Sequence, residues 1–354
     1  MLYLILLVLF FSTAFAYEKV YVIERENGCV SVIDRFELKK EICGLGNLNH
    51  AVLKFDPYSA NKAYIISRDG YISLLNTKDD TLVKKKKTGN SGIGFTILKN
   101  YIAVAHYDPK IVVILEKDLT PQKKVYTDSR NVGIKTDGRY IVFSLMDKNQ
   151  IWILDKNEGF RPVKKFEDVG SMPFDALLKG ETYIVGFFKE SSIGILNLKN
   201  FLYTKQKLKE LKEGIPLKIP HFGTWGIYGT KAYIPAVGDN KIHMIDLQNF
   251  SYKGFIELIG FPVFVSVSPI GNYIVVNYSG NKENYISVIS LKNNKVIKNI
   301  KAGERVMHFR FSKDGQRLYL SSYFENKIKI FDTANWTVIK EIPIPSPSGI
   351  FIKR

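Results

Sequence analysis

Among the side chains of this 354-residue sequence, five histidines titrate nearest neutral pH, and three of them recur at one place in a repeated pattern. His50 stands six residues before Asp56, and His308 stands six before Asp314. In a third copy of the pattern, beginning IPHFGTWGIY, His221 falls at or within one residue of the same step. A lone histidine at such a place is ordinarily a hydrogen-bonded turn residue. Three of five at a shared step argue for a common ligand. Neutral imidazole binds iron, copper or zinc through one ring nitrogen. The sequence holds no HExxH, so it has no helix-borne zinc signature, and no CxxCH, so covalent c-type haem is excluded. His243 lies inside the apolar strand pattern IHMID and is expected to be structural, and His106 is intermediate.

What would bring these histidines together is the repeat itself. A strand closing in an acidic or small polar residue recurs eight times: VSVID to Asp34, ISLLN to Asn76, VVILE to Glu116, IWILD to Asp155, IGILN to Asn197, IHMID to Asp246, ISVIS to Ser290 and IKIFD to Asp332. Spacings of roughly 40 to 50 residues match four-stranded propeller blades. Within a unit an alternating strand, a turn, a second strand, the ID strand, a short turn and a fourth strand follow in constant order. Period-two alternation and polar turns support strands throughout, with no long helical period. The expectation is an all-β, eight-bladed propeller of four-stranded antiparallel blades. Its chain begins with KVYVIE, a second strand, and ends with SGIFIKR, an inner strand. Pairing Ile350, Phe351 and Ile352 with the first blade would close the ring and remove two exposed edges.

Composition sets the context. Residues 1–16, MLYLILLVLFFSTAFA, read as a secretory signal peptide ending in a small-x-small cleavage site, which leaves residues 17–354 as one propeller domain. The apolar run is shorter than the ~20 residues of a membrane span. A periplasmic location is therefore expected, without a stable membrane span after cleavage. The net charge of +17 reads as a lysine-rich surface spread over the fold, including Lys84 to Lys87 beside a strand end. An exported protein seldom meets nucleic acid, so that partner is not expected. The two cysteines, Cys29 and Cys43, lie opposite each other about a turn near Phe36. Both a disulfide and a pair of buried thiols fit that placement.

In a propeller the inner strand of each blade lines the central channel. Its N-terminal end and the loop between the second and third strands open on the same face. That places His50, His221 and His308 at one mouth, and adds Arg68, His106 and Asp147 from the loops. A planar macrocycle with one axial imidazole suits such a funnel. Arg68, Arg130, Arg305 and Arg310 could pair with its carboxylates, because the guanidinium fork matches that geometry.

Eight short motifs then carry a family likeness. They are residues 48–51 (LNHA), 67–70 (SRDG), 173–177 (PFDAL), 218–221 (KIPH), 234–238 (IPAVG), 260–265 (GFPVFV), 306–308 (VMH) and 347–351 (PSGIF). In this order and over nearly the whole mature chain, they make the sequence resemble the NirF family of haem d1 biogenesis proteins. More distantly it is similar to the haem d1 domain of periplasmic cytochrome nitrite reductase. The resemblance implies non-covalent binding of haem d1 or dihydro-haem d1 in the funnel, with His50 as axial ligand of the haem iron and His221 and His308 over or beside the macrocycle. It also implies a reaction, dehydrogenation of a propionate side chain of dihydro-haem d1 to the acrylate. No cytochrome c domain accompanies the propeller, so nitrite reduction by this chain alone is not expected.

Two classes of function follow. In the first the protein is an oxidoreductase, and His221, His308, Asp175 and Asp147 are the acid–base candidates. In the second it stores or delivers the finished cofactor. A propeller that binds only other proteins is the remaining alternative. Periplasmic nitrite reductase or an electron acceptor would be the natural partners of the first two.

Overall fold

A computed structural model describes residues 18–208 and 225–353, with the side chain of Asp175 outside the described set. The expected architecture is the one found: eight four-stranded antiparallel sheets, seven of them running in sequence order and one completed by the C-terminal strand. In that first blade Pro347–Ile352 pairs with Val20–Glu24, matching Ile350, Phe351 and Ile352 to Val22, Tyr21 and Val20. The closure is anchored by polar contacts as well. Asp80, in the turn of the second blade, accepts from the Tyr21 hydroxyl and from Lys19 Nζ at 2.8 Å. The Lys353 ammonium donates to the Thr77 carbonyl in the same turn.

The polar residue closing each third strand has a local reason. In five blades its side-chain oxygen accepts from the backbone N–H two residues on: Asn76 from Lys78, Asp155 from Asn157, Asn197 from Lys199, Asp246 from Gln248 and Asp332 from Ala334. Such Asx turns substitute for backbone pairing where the chain reverses. Each of these turns then passes through a left-handed residue: Asp80, Phe160, Phe201, Phe250 and Trp336 in turn. Left-handed backbone costs a non-glycine residue about 1–2 kcal/mol. Burial of the ring offsets this at Phe160 and Trp336, which are only 7% exposed.

The hydrophobic core is a series of wedges between neighbouring blades. The wedge between the second and third blades is typical, packing Tyr64, Ile66 and Ile72 against Phe95, Val104 and Val113. The outer strands carry the positive charge. ELKKEI, TLVKKKK, PQKKVY and RPVKKF are almost wholly exposed, and lysine on an edge strand blocks pairing with another chain. The two cysteines are joined as a disulfide between the third strand of the first blade and the end of its outer strand.

Most inner strands bulge near their N-terminal ends, as the outer strands of seven blades also do. In six blades two inner residues oppose one, around Ile93, Gly133, residues 174–175, residues 263–264, Met307 and residues 348–349. A bulge re-aims side chains at a sheet edge. Here that edge is the channel wall.

Candidate functional site

Register fixes what shares the mouth. In the eighth blade Val306 pairs with Ser322 and Phe311 with Leu318. The start of the inner strand therefore lies beside the loop after the second strand, and its end lies at the opposite face. By the same logic Arg25, Arg68, Arg130 and Arg305 belong to one mouth.

The two histidines of the opening comparison do not occupy one step. Val52 pairs with Ile66 and His308 with Ser321, and these partners are equivalent positions of their second strands. His308 is thus matched by Val52, and His50 lies two residues earlier, a displacement of about 7 Å along a strand. Counting back from Asp56 and Asp314 misled because Asp56 ends its inner strand, where its N–H bonds the Lys62 carbonyl, whereas Asp314 sits inside its turn. His50 is exposed, in a turn just ahead of the inner strand Val52–Phe55, with φ of 58°. His308 is 1% exposed inside the strand Val306–Phe311.

His308 is held on every side. Its Nδ1 accepts from the Ile350 N–H at 3.0 Å, its backbone N–H donates to Ser321 Oγ, and its ring packs between Phe264 (edge-on, 5.3 Å) and Phe351 (stacked, 6.2 Å). A ring that accepts at Nδ1 carries its proton on Nε2. Burial, with the Arg310 charge added, keeps this imidazole neutral far below the usual histidine range. Three glycines stand at the equivalent register in other blades, Gly94, Gly133 and Gly349. A Cβ on Gly94 would meet only Ile134, at 3.7 Å, so this side of the channel is left open. Asp175 occupies the same register on its own inner strand, Pro173–Lys179.

Across the mouth a second cluster forms around Tyr107. The guanidinium groups of Arg68 and Arg130 lie over its ring at 5.2 and 5.7 Å, and its hydroxyl points at Met146 Sδ. Arg130 is committed to Asp147: Nε and Nη2 donate to Oδ1 at 2.9 and 2.6 Å, and the backbone N–H donates to Oδ2. The arginine holds the Asp147 carboxyl below its ordinary value, which makes it a poor proton acceptor. Beneath these charges lies an apolar floor of Val132, Met146 and Phe174, edged by Ile93, Met172 and Phe188. His106 is fully buried near Gly89, and burial lowers it to about 4, so it is a wall residue. His243 is also buried and lowered to about 4, its Nδ1 bonded to the Tyr252 hydroxyl, which agrees with a structural role.

A polar cleft of about 500 Å3 completes this mouth between the eighth, first and second blades. Arg25, Glu26, Asn47, Asn49, Arg305 and Tyr323 line it. Arg305 stacks on Tyr323 and Phe324, with Glu283 at 3.9 Å, and Tyr323 donates to Glu26. Arg25 and Tyr323 were missed in the sequence. Both follow the second strand of their blade, the same loop position as Arg68, which was the available signal.

The predicted residues therefore separate. His50, Arg68, Arg130, Asp147 and Arg305 gather at one mouth, with His106 and His308 in its walls. Arg310 does not join them: it pairs in register with Tyr319 near the far end of its strand and lines a cavity at the opposite mouth. His221 lies outside the described residues. An exposed imidazole, several guanidinium groups and an apolar floor fit a flat, carboxylate-bearing macrocycle. Among the described residues no group of three His, Cys, Asp or Glu side chains could hold a bare metal ion.

Comparison with known proteins places the chain in a family. The model of the cytochrome D1 heme domain matches residues 17–354. Protein NirF of Pseudomonas aeruginosa is 30% identical over 94% of this chain and 90% of its own length. Protein NirF of Stutzerimonas stutzeri is 29% identical over 93% and 90%. Among solved structures, dihydro-heme d1 dehydrogenase NirN in complex with DHE superposes with a TM-score of 0.80 at 21% identity, covering 94% of this chain and 75% of that one. Apo AztD from Citrobacter koseri follows, with a TM-score of 0.74 at 16% identity over 95% and 97%. At these identities the two structures establish the propeller fold alone.

Proposed function

Because the chain belongs to the cytochrome D1 haem domain family, and within it to the NirF proteins, we propose that it binds haem d1 or its dihydro precursor at this mouth and acts in haem d1 biosynthesis. One observation carries the reading: an exposed imidazole, His50, shares a mouth with Arg305 and with Arg68, which lies over Tyr107 beside the apolar cluster of Phe174, Met146 and Val132. His50 would hold the iron, and Arg68 and Arg305 would hold the carboxylates of the macrocycle. His308, neutral and protonated on Nε2, offers a hydrogen-bond donor rather than a base.

The reaction assigned to the site converts a propionate of dihydro-haem d1 to the acrylate. Two electrons and two protons leave the side chain, the electrons to an external acceptor and the protons to side chains of the mouth. Export to the periplasm suits this reading, and the Cys29–Cys43 disulfide supports an oxidising compartment. A second reading, a carrier that hands the finished cofactor to the nitrite reductase, draws support from Asp147. Its ion pair with Arg130 removes one of the acid–base candidates.

Absorbance separates the readings. Purified protein mixed with dihydro-haem d1 and an electron acceptor is expected to shift the macrocycle spectrum on binding and then convert it to that of haem d1. A spectrum that stops at the bound dihydro form selects the carrier. A spectrum identical to that of the free macrocycle overturns binding altogether.

A further inference from the structure

The opposite end of the channel opens into a separate cavity of about 730 Å3, bounded by the sixth, seventh, eighth, first and second blades. Its wall is aromatic, with Phe55, Trp225, Tyr228 and Phe351 among the lining residues, and its charges are Arg310 and Lys313. Among the described residues that line it there is no carboxylate, and Glu18 comes close, accepting from the backbone N–H of Lys313. Register adds to the positive field. Lys54, Lys135 and Arg310 pair with Tyr64, Val142 and Tyr319, equivalent positions of their second strands. Three inner strands thus place a cation at one level of the channel. Lys54 Nζ reaches across to the Phe95 carbonyl of the next inner strand, so its charge is held at the wall.

From this we propose that the far mouth is a second binding site, for a small planar organic anion such as an aromatic carboxylate or sulfonate. Aromatic faces take the flat body of such a ligand, and guanidinium and ammonium groups take the anionic end. The site is independent of the tetrapyrrole reading, because none of its lining residues belongs to the other mouth. It is nevertheless coupled to that mouth by contact. Phe351 forms part of the cup and stacks on His308, and Arg310 lies two residues further along the strand that carries His308. A ligand in the cup rests on the ring that seals His308.

Titration with anilinonaphthalene sulfonate, read by its fluorescence and by energy transfer from tryptophan, tests the site in the full-length protein. Trp225 lines the cup, whereas Trp152 packs in the third strand of the fourth blade and Trp336 in an outer turn. The expected result is a bound probe excited through tryptophan, weakened at least tenfold by Arg310→Gln and unchanged by Arg305→Gln at the other mouth. Sodium chloride should weaken it in the unsubstituted protein, and benzoate should displace it. Equal affinity in the Arg310→Gln and unsubstituted proteins, or an equal loss with Arg305→Gln, would overturn the proposal. Circular dichroism of Arg310→Gln establishes that the comparison is made on folded protein. Should that variant not fold, Lys313→Gln, at an exposed position, takes its place with an expected loss of about threefold, and no loss would count against the site.

Discussion

His50 and His308 stand on the walls of one channel, yet the protein treats them in opposite ways. His50 sits in solvent on a turn, ahead of a short inner strand that pairs residue for residue with its neighbour. His308 sits two steps deeper, beside a bulge, between two phenyl rings and under a backbone N–H. An exposed imidazole can be reached by a ligand from solvent. A sealed one keeps a fixed tautomer and resists protonation. The residue type announces possible chemistry in both cases, but the two-residue difference in depth decides which chemistry each can do.

The harshest way to break this comparison is to remove the seal. Deleting residues 348–354 takes away Ile350 and Phe351, which complete the first blade and cover His308. Losing two buried side chains of this size costs roughly 5 kcal/mol, before counting the opened sheet edge. The truncated protein is expected to be largely unfolded or aggregated, as read by circular dichroism and light scattering. Unchanged thermal stability would mean that the clasp contributes little.

Acid sharpens the contrast next. His106 and His243 are lowered to about 4 by burial, and His308 is lowered further by the same cause. A histidine whose folded value is depressed binds its proton more readily in the unfolded chain. Its contribution is intact above pH 6.5 and is lost as pH falls toward the folded value. At pH 5 His106 and His243 should each have given up roughly 2 kcal/mol. Urea unfolding at pH 7.5 and pH 5 should show that loss. Equal unfolding free energies at the two pH values would show that these buried rings do not resist protonation.

Direct substitution follows in size. His308→Ala leaves a cavity between Phe264 and Phe351 and an unmet Ile350 N–H, for about 2–4 kcal/mol of stability. His50→Ala should cost less than about 0.5 kcal/mol, as surface changes do. If His50 holds the iron as proposed, the spectra should invert this order: His50→Ala should alter the absorption of bound haem d1, and His308→Ala should largely preserve it. If His50→Ala leaves that spectrum unaltered, the iron ligand is another residue.

How much of this was legible beforehand depends on the range of the interaction. Strand order, blade count and the C-terminal clasp were readable because period-two alternation and Asx turns are local, and eight copies repeat the same message. The relative depth of His50 and His308 was not, because it depends on where each turn begins and on bulges, and Asp56 and Asp314 look alike while serving different positions. Arg310 was assigned to the wrong mouth for a related reason: proximity to His308 in sequence hid the length of strand between them. The Arg130–Asp147 pair was also hidden, since the partners are 17 residues apart and meet only through blade geometry.

The smallest expected effect compares cations at the mouth with cations at the rim. Arg68 lies over Tyr107 beside the apolar floor, whereas Lys84 and Lys86 are exposed on the outer strand Thr81–Lys87. Lys85 and Lys87 are less neutral controls. Their ammonium groups donate to the carbonyls of Gly44 and Asp69, in the loops on either side of His50 and Arg68. Lys84→Ser with Lys86→Ser therefore tests net charge away from the mouth, at the loss of one exposed ion pair between Lys84 and Asp118. A charge-assisted bond to a carboxylate contributes about 1.5 kcal/mol where water still reaches it, which is roughly tenfold in affinity. Arg68→Ala should weaken haem d1 binding by that factor, and the double lysine variant should leave it unchanged at 0.15 M salt, where the Debye length is about 8 Å. Equal losses in the two variants would show that the overall positive field attracts the ligand, and that the mouth holds no special claim on its carboxylates.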